Sequence, residues 1–530
     1  MQIGYIDPIP FGLMIGVDLS NAKSIIKDEF EVFMNNPLVG GLLSRLSILV
    51  IVSLSFLSPL NVSARSAADL EQEIVKLQKE LEQKQRELER AKSELARANE
   101  YSEKAQKEAR QAKQREMELR TQFDQRAPVE EPKIEIGPIT VGGAIRASYV
   151  YGSYVDDDPG DGPRRGSNGG NLELDTFRIN LTLDHENWLG AFEYRWYSDY
   201  GKSFPASYNF IHTAWLGYRF DDDSHIEAGV NRVPFGAGPY GVAQSYMFDM
   251  NYYLGLSDDM DLGIKYSTRK DDWKLDFAYY PRSEGNYFGR STDSTRYSFD
   301  AVRWNESVDG LGNVIYGGAE NGYEERNQFN IRAIRLFEEI EIPTELGFSL
   351  QYGQLEGTGV DDGDHWAASL HMVNTWNNWK LGTQVSRYEY NIDDDNPWGT
   401  DALIPMGAFD FAWFTATRAW VPSISLSYEK STPSIPWLQK VVPYIEYSQQ
   451  VKDEDGFNDS KMFSVGAQWY SGNWLVYTDL VYANGNWFIG NEDKFGNADD
   501  YSRVDGVGDW GANGNDHWNY RFTINLGYYF

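Results

Sequence analysis

The last thirteen residues of the chain alternate without a break. Trp518, Tyr520, Phe522, Ile524, Leu526, Tyr528 and Phe530 fall on one side, and Asn519, Arg521, Thr523, Asn525 and Gly527 on the other. Period two sends successive side chains to opposite faces of a β-strand. The same pattern recurs upstream. Phe177, Ile179, Leu181 and Leu183 alternate with Arg178, Asn180, Thr182 and Asp184, and Phe192, Tyr194 and Trp196 with Glu193, Arg195 and Tyr197. Val141, Ile145, Ala147 and Tyr149 alternate with Arg146 and Ser148, while Ala214, Leu216, Tyr218 and Phe220 alternate with Trp215 and Arg219. About 16 such segments fit between Ile134 and Phe530, each near the 9–11 residues a tilted strand needs to cross a bilayer. Short connections near His185, Asp221, Lys270, Pro343, Trp376 and Gly472 alternate with long ones rich in Asp and Gly. A soluble sandwich or propeller would bury its apolar faces, whereas these stripes carry the rings of interface girdles. The pattern predicts an all-β transmembrane barrel of about 16 antiparallel strands over residues 134–530. An even strand number leaves both chain ends on one side, the periplasmic one.

Ahead of Pro128 the period changes. From Leu70 to Phe123 apolar positions step by four and three. One seam holds Ile74, Leu81, Leu88, Leu95, Ser102, Ala109, Glu116 and Phe123; the other holds Leu70, Leu77, Lys84, Ala91, Ala98, Ala105, Ala112 and Leu119. That spacing keeps one stripe of an underwound helix facing partner helices. The expectation is a periplasmic coiled coil over 66–126, roughly 80 Å long at 1.5 Å per residue, ended by Pro128. A lone solvated helix is the alternative, because the second half of the seam is Ala-rich and polar. Spacer, trimer clamp and cell-wall contact all fit such a segment. Earlier still, Leu46–Leu57 is apolar, follows Arg45 and precedes Val62-Ser63-Ala64. A positive charge, a short apolar run and a small-x-small tripeptide predict a secretory signal cleaved after Ala64, with Arg65-Ser66-Ala67 as a second possible site. Residues 1–64 are therefore set apart from the mature fold, and Met34 would give a signal of ordinary length.

Composition sharpens this picture. Aromatics make up 15% of 530 residues although the mean hydropathy is −0.53, a combination that suits a barrel with ring girdles. The net charge is −31. The coiled-coil segment, with 14 acidic and 14 basic residues over 66–126, contributes none of it. The acid therefore sits in the barrel section, which argues against a nucleic-acid partner. With no cysteine and six scattered histidines, no thiolate metal site is available and no histidine metal spacing appears, so neither metal nor organic cofactor is expected. Runs such as Asp156–Asp158, Asp361–Asp364 and Asp393–Asp395 read as solvated external loops, with calcium bridging as the minor alternative.

The polar faces nominate Arg146, Arg178, Glu193, Arg195, Arg219, Glu227, Arg332 and Arg521 as residues lining a wet lumen, because a barrel of 16 strands is wide enough to hold water. Mixed charges of this kind would select polar, hydrated solutes. The alternative for each is a structural ion pair. After the fifth segment comes Ala237–Asp261, a long loop carrying Tyr240, Tyr246, Phe248, Tyr252 and Tyr253 and ending in Asp258, Asp259 and Asp261. Its rings suit burial better than exposure, so it is expected to fold inward and narrow the barrel. The other possibility is an external loop packed on its neighbours.

Residues Arg178-x-Asn180-Leu181-x-Leu183, the Glu193-Tyr194 strand and Gly229-Val-Asn-Arg-Val-Pro-Phe-Gly236 resemble the phosphate-selective porin family. The terminal Phe530 resembles the recognition signal of bacterial outer-membrane barrels, and a coiled coil before the barrel is similar to that of some sugar-specific porins. The loop after the fifth strand has a counterpart that folds inward in the general porins. The resemblance implies a homotrimeric 16-stranded barrel in outer-membrane lipid, passing small hydrophilic solutes such as ions, phosphate or sugars by passive diffusion. It covers most of residues 135–275. The acidic, Lys-poor barrel departs from a phosphate path, so that specificity is not carried over. A barrel enzyme is disfavoured, since none of His185, His212, His225, His365, His371 and His517 stands in a catalytic motif beside a serine. The other reading is an outer-membrane anchor whose coiled coil tethers the envelope.

Overall fold

A computed structural model describes residues 134–154, 165–166, 169–197, 208–221, 223–284, 297–308, 314–338, 340–409, 411–486, 488–490 and 518–530, with six residues further upstream. The chain divides into two units, Met1–Ala105 and Gln106–Phe530. Of the first unit, Lys76, Lys79, Gln83, Lys84, Arg86 and Lys92 are described, and all six are α-helical and exposed. The expected signal and, Lys84 apart, the coiled-coil seams lie outside the described residues.

In the second unit alternation becomes strand throughout. In chain order the wall is β1 (Ile139–Gly152), β2 (Asn171–His185), β3 (Trp188–Tyr197), β4 (Tyr208–Asp221), β5 (Ser224–Arg232), β6 (Met260–Lys270), β7 (Trp273–Ser283) and β8 (Val314–Phe337). It continues through β9 (Thr344–Thr358), β10 (Gly363–Trp376), β11 (Trp379–Asn391), β12 (Arg418–Tyr428), β13 (Lys440–Lys452), β14 (Ser460–Ser471), β15 (Trp474–Asn484) and β16 (Trp518–Tyr529). Each strand pairs antiparallel with the next, and β16 returns to β1 with Ala144 opposite Tyr529 and Gly152 opposite Arg521. The sheet is thus a closed 16-stranded barrel, and closure leaves no unpaired edge. Pro422 sits where two pairs of the β12–β13 ladder are missing, between Trp420–Val451 and Ser423–Ser448, with the register unchanged, as expected of a residue that cannot donate to the ladder.

The period-two pattern sorts the two faces. On β9, Leu346, Phe348, Leu350 and Tyr352 are exposed on the outside, while Gly347, Ser349, Gln351 and Gly353 are buried inside. Trp420 and Ile424 on β12 and Leu526 and Tyr528 on β16 are likewise exposed. The two ends of the barrel differ. At one, two-residue turns join β2–β3, β4–β5, β6–β7, β10–β11 and β14–β15. Four of them open on a residue of positive φ: Glu186 (53°), Asp271 (52°), Asn377 (51°) and Gly472 (56°). In each of these four a Trp starts the next strand: Trp188, Trp273, Trp379 and Trp474. Three of the rings meet a Tyr across the strand pair, Trp188–Tyr218 at 5.4 Å, Trp379–Tyr428 at 4.8 Å and Trp474–Tyr528 at 5.1 Å. Trp273 instead lies under Arg335, whose Cζ is 5.3 Å from the ring centre.

At the other end the connections are mostly long. Two departures from the expected asymmetry occur. Residues 359–362, inside the expected Asp361–Asp364 loop, make only a short link, with Asp364 already in β10, and the β12–β13 connection at the turn end is long, from Tyr428 to Lys440. From the long loops, Asp300–Ala301, Leu403–Ala408 and Phe411–Ala416 form a separate three-stranded sheet. Its residues Ala301, Leu403, Ile404, Met406 and Phe414 join Phe299, Tyr252 and Tyr253 in one hydrophobic core.

Candidate functional site

The β5–β6 connection, Val233–Asp259, runs through the barrel's interior. It holds on largely by its backbone. Gly236 N donates to Ser349 Oγ on β9 (3.1 Å) and Ala237 N to Gln384 Oε1 on β11 (2.9 Å). Further along, Gln244 N and Ser245 N both donate to the Glu446 carboxylate on β13. Tyr246 N donates to Asp479 Oδ2 on β15 (2.7 Å), and Gln468 Nε2 on β14 donates to Gln244 O (2.7 Å). The loop then returns: Met250 N donates to Ser448 Oγ (3.0 Å), and Asn251 exchanges hydrogen bonds with Ser423 and Ser386. A segment that leaves β5 and bonds to β13 and β15 must cross the lumen of a 16-strand ring. The expected inward loop spans 237–261; the chain departs from the wall four residues earlier and rejoins it at Met260, so Asp261 belongs to β6.

The wall under the loop is built of small hydroxyls. Ser349, Ser369, Ser386, Ser423, Ser425, Ser427, Ser448 and Ser464 all face inward on β9–β14, and all are buried. Short side chains let a second layer of backbone approach while offering it partners. Gly382 on β11 carries this further, since a Cβ there would lie 2.8 Å from Val242 Cβ of the loop. On β15 the inward positions on either side of Asp479 turn apolar, with Leu475, Tyr477 and Val481 buried. Tyr246 of the loop packs on Tyr477, ring centres 5.8 Å apart.

The opposite arc, β16 through β3, carries inward arginines, Arg521, Arg146, Arg178 and Arg195. Between it and the loop lies a cavity of about 200 Å³. The loop contributes Tyr240, Tyr246, Phe248, Tyr252, Tyr253 and Asp258; the wall contributes Arg146, Arg195, Arg521, Glu173 and Asp175; Arg165, Tyr297, Phe299, Phe409 and Phe488 close over it from the long loops. Its charged lining is four arginines against three carboxylates, in a chain of net charge −31. Arg195 donates to Glu193 and, through Nη1, to Tyr197 Oη (3.1 Å), and its Cζ lies 4.6 Å from the Tyr297 ring centre. Asp258 is held by Arg232 (2.7 Å) and accepts from Tyr297 Oη (2.6 Å). Arg165 and Glu173 pair at 2.6 Å. Arg146 stands over the Tyr246 ring at 5.8 Å. Burial raises the Tyr246 hydroxyl well above the ordinary tyrosine range, with the Asp175 charge adding to it, so the ring presents a neutral O–H.

The sequence-predicted residues separate into groups. Arg146, Arg195 and Arg521 line the cavity with the five loop rings and Asp258. Arg178 and Glu193 sit behind them, both buried, 3.8 Å apart, with Arg178 over the Tyr529 ring. Arg219, Glu227 and Arg332 lie elsewhere on the wall in ion pairs with Asp184 (3.1 Å), Lys265 (3.0 Å) and Asp276 (2.8 Å). Asp259 and Asp261 point away from the cavity into a separate acidic cluster. Sequence reasoning missed the loop's anchors, Glu446 and Asp479, and the serine arc. Serine recurring at inward parity on six successive strands was the available signal.

No protein-family model matches the chain, and no curated protein does. Among solved structures, OmpT of Vibrio cholerae is 13% identical, with 75% of this chain and 100% of that one covered and a TM-score of 0.42. The outer membrane channel DcaP of Acinetobacter baumannii is 10% identical, covering 74% and 97%, TM-score 0.43. OmpF of Salmonella typhi, in complex with daunomycin, is 13% identical, covering 75% and 100%, TM-score 0.44. The fold described above rests on this chain's own strand pairing.

Proposed function

We infer that this chain is an outer-membrane porin, forming a water-filled channel through which small hydrophilic solutes diffuse passively. One observation carries the reading: a loop crosses the lumen and leaves a charged, ring-lined cavity against the far wall instead of filling the barrel. A protein using its barrel only as an anchor has no need of such an arrangement. The apolar outer face suits lipid, and the row of Trp beside the two-residue turns suits the periplasmic interface. The guanidinium groups of Arg146, Arg195 and Arg521 favour anionic or hydroxyl-rich solutes, which rings on the opposite side can stack against. A homotrimer, with a periplasmic coiled coil over residues 66–126, completes the proposal.

The test is single-channel conductance of the purified chain in planar bilayers, with the reversal potential taken across a salt gradient. Stepwise ohmic current, grouped in threes and shifted toward anions, is the expected result. Absence of conductance at every voltage would reject the channel and favour the anchor.

A further inference from the structure

Four carboxylates lie together away from the cavity. Asp259 ends the crossing loop, Asp261 stands second in β6, Glu284 follows β7, and Asp300 belongs to the small three-stranded sheet. All four are buried, and one oxygen from each lies within 4.8 Å of the oxygens of the others. Like charges at that separation repel strongly in a poorly hydrated interior. A second observation concerns hydrogen bonding rather than spacing. Asp259 is 4% exposed, and its Oδ1 has no hydrogen-bond partner. A buried carboxylate oxygen normally finds a donor, and leaving it without one is costly.

The cluster is also braced from outside. Gln328 Nε2 donates to Asp261 Oδ2 (3.1 Å), and Ser298 N donates to Glu284 Oε1 (2.9 Å). Ser298 in turn accepts from Met260 N at 2.8 Å. These bonds hold the Asp261 and Glu284 carboxylates in place beside Asp259. Hard divalent cations are ligated by such oxygens: Ca²⁺ takes six to eight at 2.3–2.6 Å, so ligand oxygens around it stand at most about 5 Å apart. Mg²⁺ needs a tighter octahedron, with oxygens at most about 4.2 Å apart, and gives up its water reluctantly.

We propose that Asp259, Asp261, Glu284 and Asp300 form a binding site for one divalent cation of the calcium class. Bound there, the ion ties the return of the crossing loop, the ends of β6 and β7 and the small sheet into one rigid piece. The site does not depend on the chain being a channel. It is distinct from the exposed acidic loops, because its ligands are buried and come from three separate stretches of the chain.

The test uses the full chain refolded in detergent free of lipopolysaccharide, stripped with a chelator and titrated with CaCl₂ by calorimetry. One saturable site per chain, with Kd between about 10⁻⁶ and 10⁻⁴ M, is expected, with Mg²⁺ weaker. Asp259→Asn and Asp300→Asn should each weaken binding at least about tenfold, whereas Asp393→Asn, in an exposed loop, should leave it unchanged. The gel shift between unheated and boiled samples reports whether each variant has folded. Should both cluster variants fail to fold, Glu284→Gln is titrated, and Tb³⁺ emission sensitised by Tyr280 and reversed by Ca²⁺ is measured in the unaltered chain. No saturable binding up to millimolar Ca²⁺, or binding untouched in folded cluster variants, overturns the site.

Discussion

Glu446 and Asp479 are single carboxylates set near one another under the loop, and between them they accept three consecutive backbone N–H groups, from Gln244, Ser245 and Tyr246. Hydrogen bonds to a charged acceptor are worth more than neutral ones, and removing the acceptor leaves buried donors without partners. Glu446→Ala is therefore expected to cost on the order of 3 kcal/mol in denaturant unfolding and to raise single-channel current as the loop lifts. Asp249 makes a pH prediction. Burial raises its carboxyl to about 6, opposed by hydrogen bonds from Asn251 and aided by the Glu446 charge. The folded chain then holds this proton between pH 4 and 6 while the unfolded chain has released it, so stability falls as pH rises across that window. One group shifted by that much contributes on the order of 3 kcal/mol. Thermal unfolding from pH 4 to 7 should show this slope, and Asp249→Asn should flatten it.

Among the elements, the two-residue turns are the most repetitive part of the chain. His185-Glu-Asn-Trp188, Lys270-Asp-Asp-Trp273, Trp376-Asn-Asn-Trp379 and Ser471-Gly-Asn-Trp474 share one construction. A left-handed residue opens the turn, an Asn or Asp follows, and a Trp begins the next strand. Three of the four left-handed positions are not glycine, and a side chain there carries a steric penalty that glycine lacks. Glu186→Gly is expected to stabilise the barrel by up to about 1 kcal/mol, read as a higher unfolding midpoint, since Arg219 meets Glu186 through its backbone carbonyl, which the substitution keeps. Much of this level could be read in the sequence. Period two gave the strands and their two faces, because alternation is a local property of neighbouring residues. The length of the β12–β13 connection was not legible, since Lys430 and Ser431 pair with β13 through a register no local pattern encodes.

At the scale of the whole molecule the lumen divides into two arcs, serine on β9–β14 and arginine on β16–β3. The inward loop could be anticipated from its rings, but which wall it faces could not, because that depends on pairing across hundreds of residues. For the same reason the wall charges could be assigned to the inner face but not sorted into cavity lining and paired wall. The cavity's slight basic excess makes a prediction at this scale. Arg146→Ala with Arg521→Ala leaves two arginines against three carboxylates, and the reversal potential is expected to move from the anion side toward the cation side. An unchanged potential would mean that the external acidic loops, and not the cavity, govern selectivity.

The crossing loop is fastened through its peptide groups, while the side chains that face the passage take little part in the fastening. Attachment and filter are therefore written in different chemical parts of the same residues. At Tyr246 the N–H is committed to Asp479 while the ring lines the cavity. Mutational drift at Tyr240, Tyr246 or Phe248 can change the passage's size and affinity without unseating the loop. Such a channel can be retuned to new solutes one side chain at a time, each step leaving a folded intermediate, which makes its specificity more evolvable than its architecture.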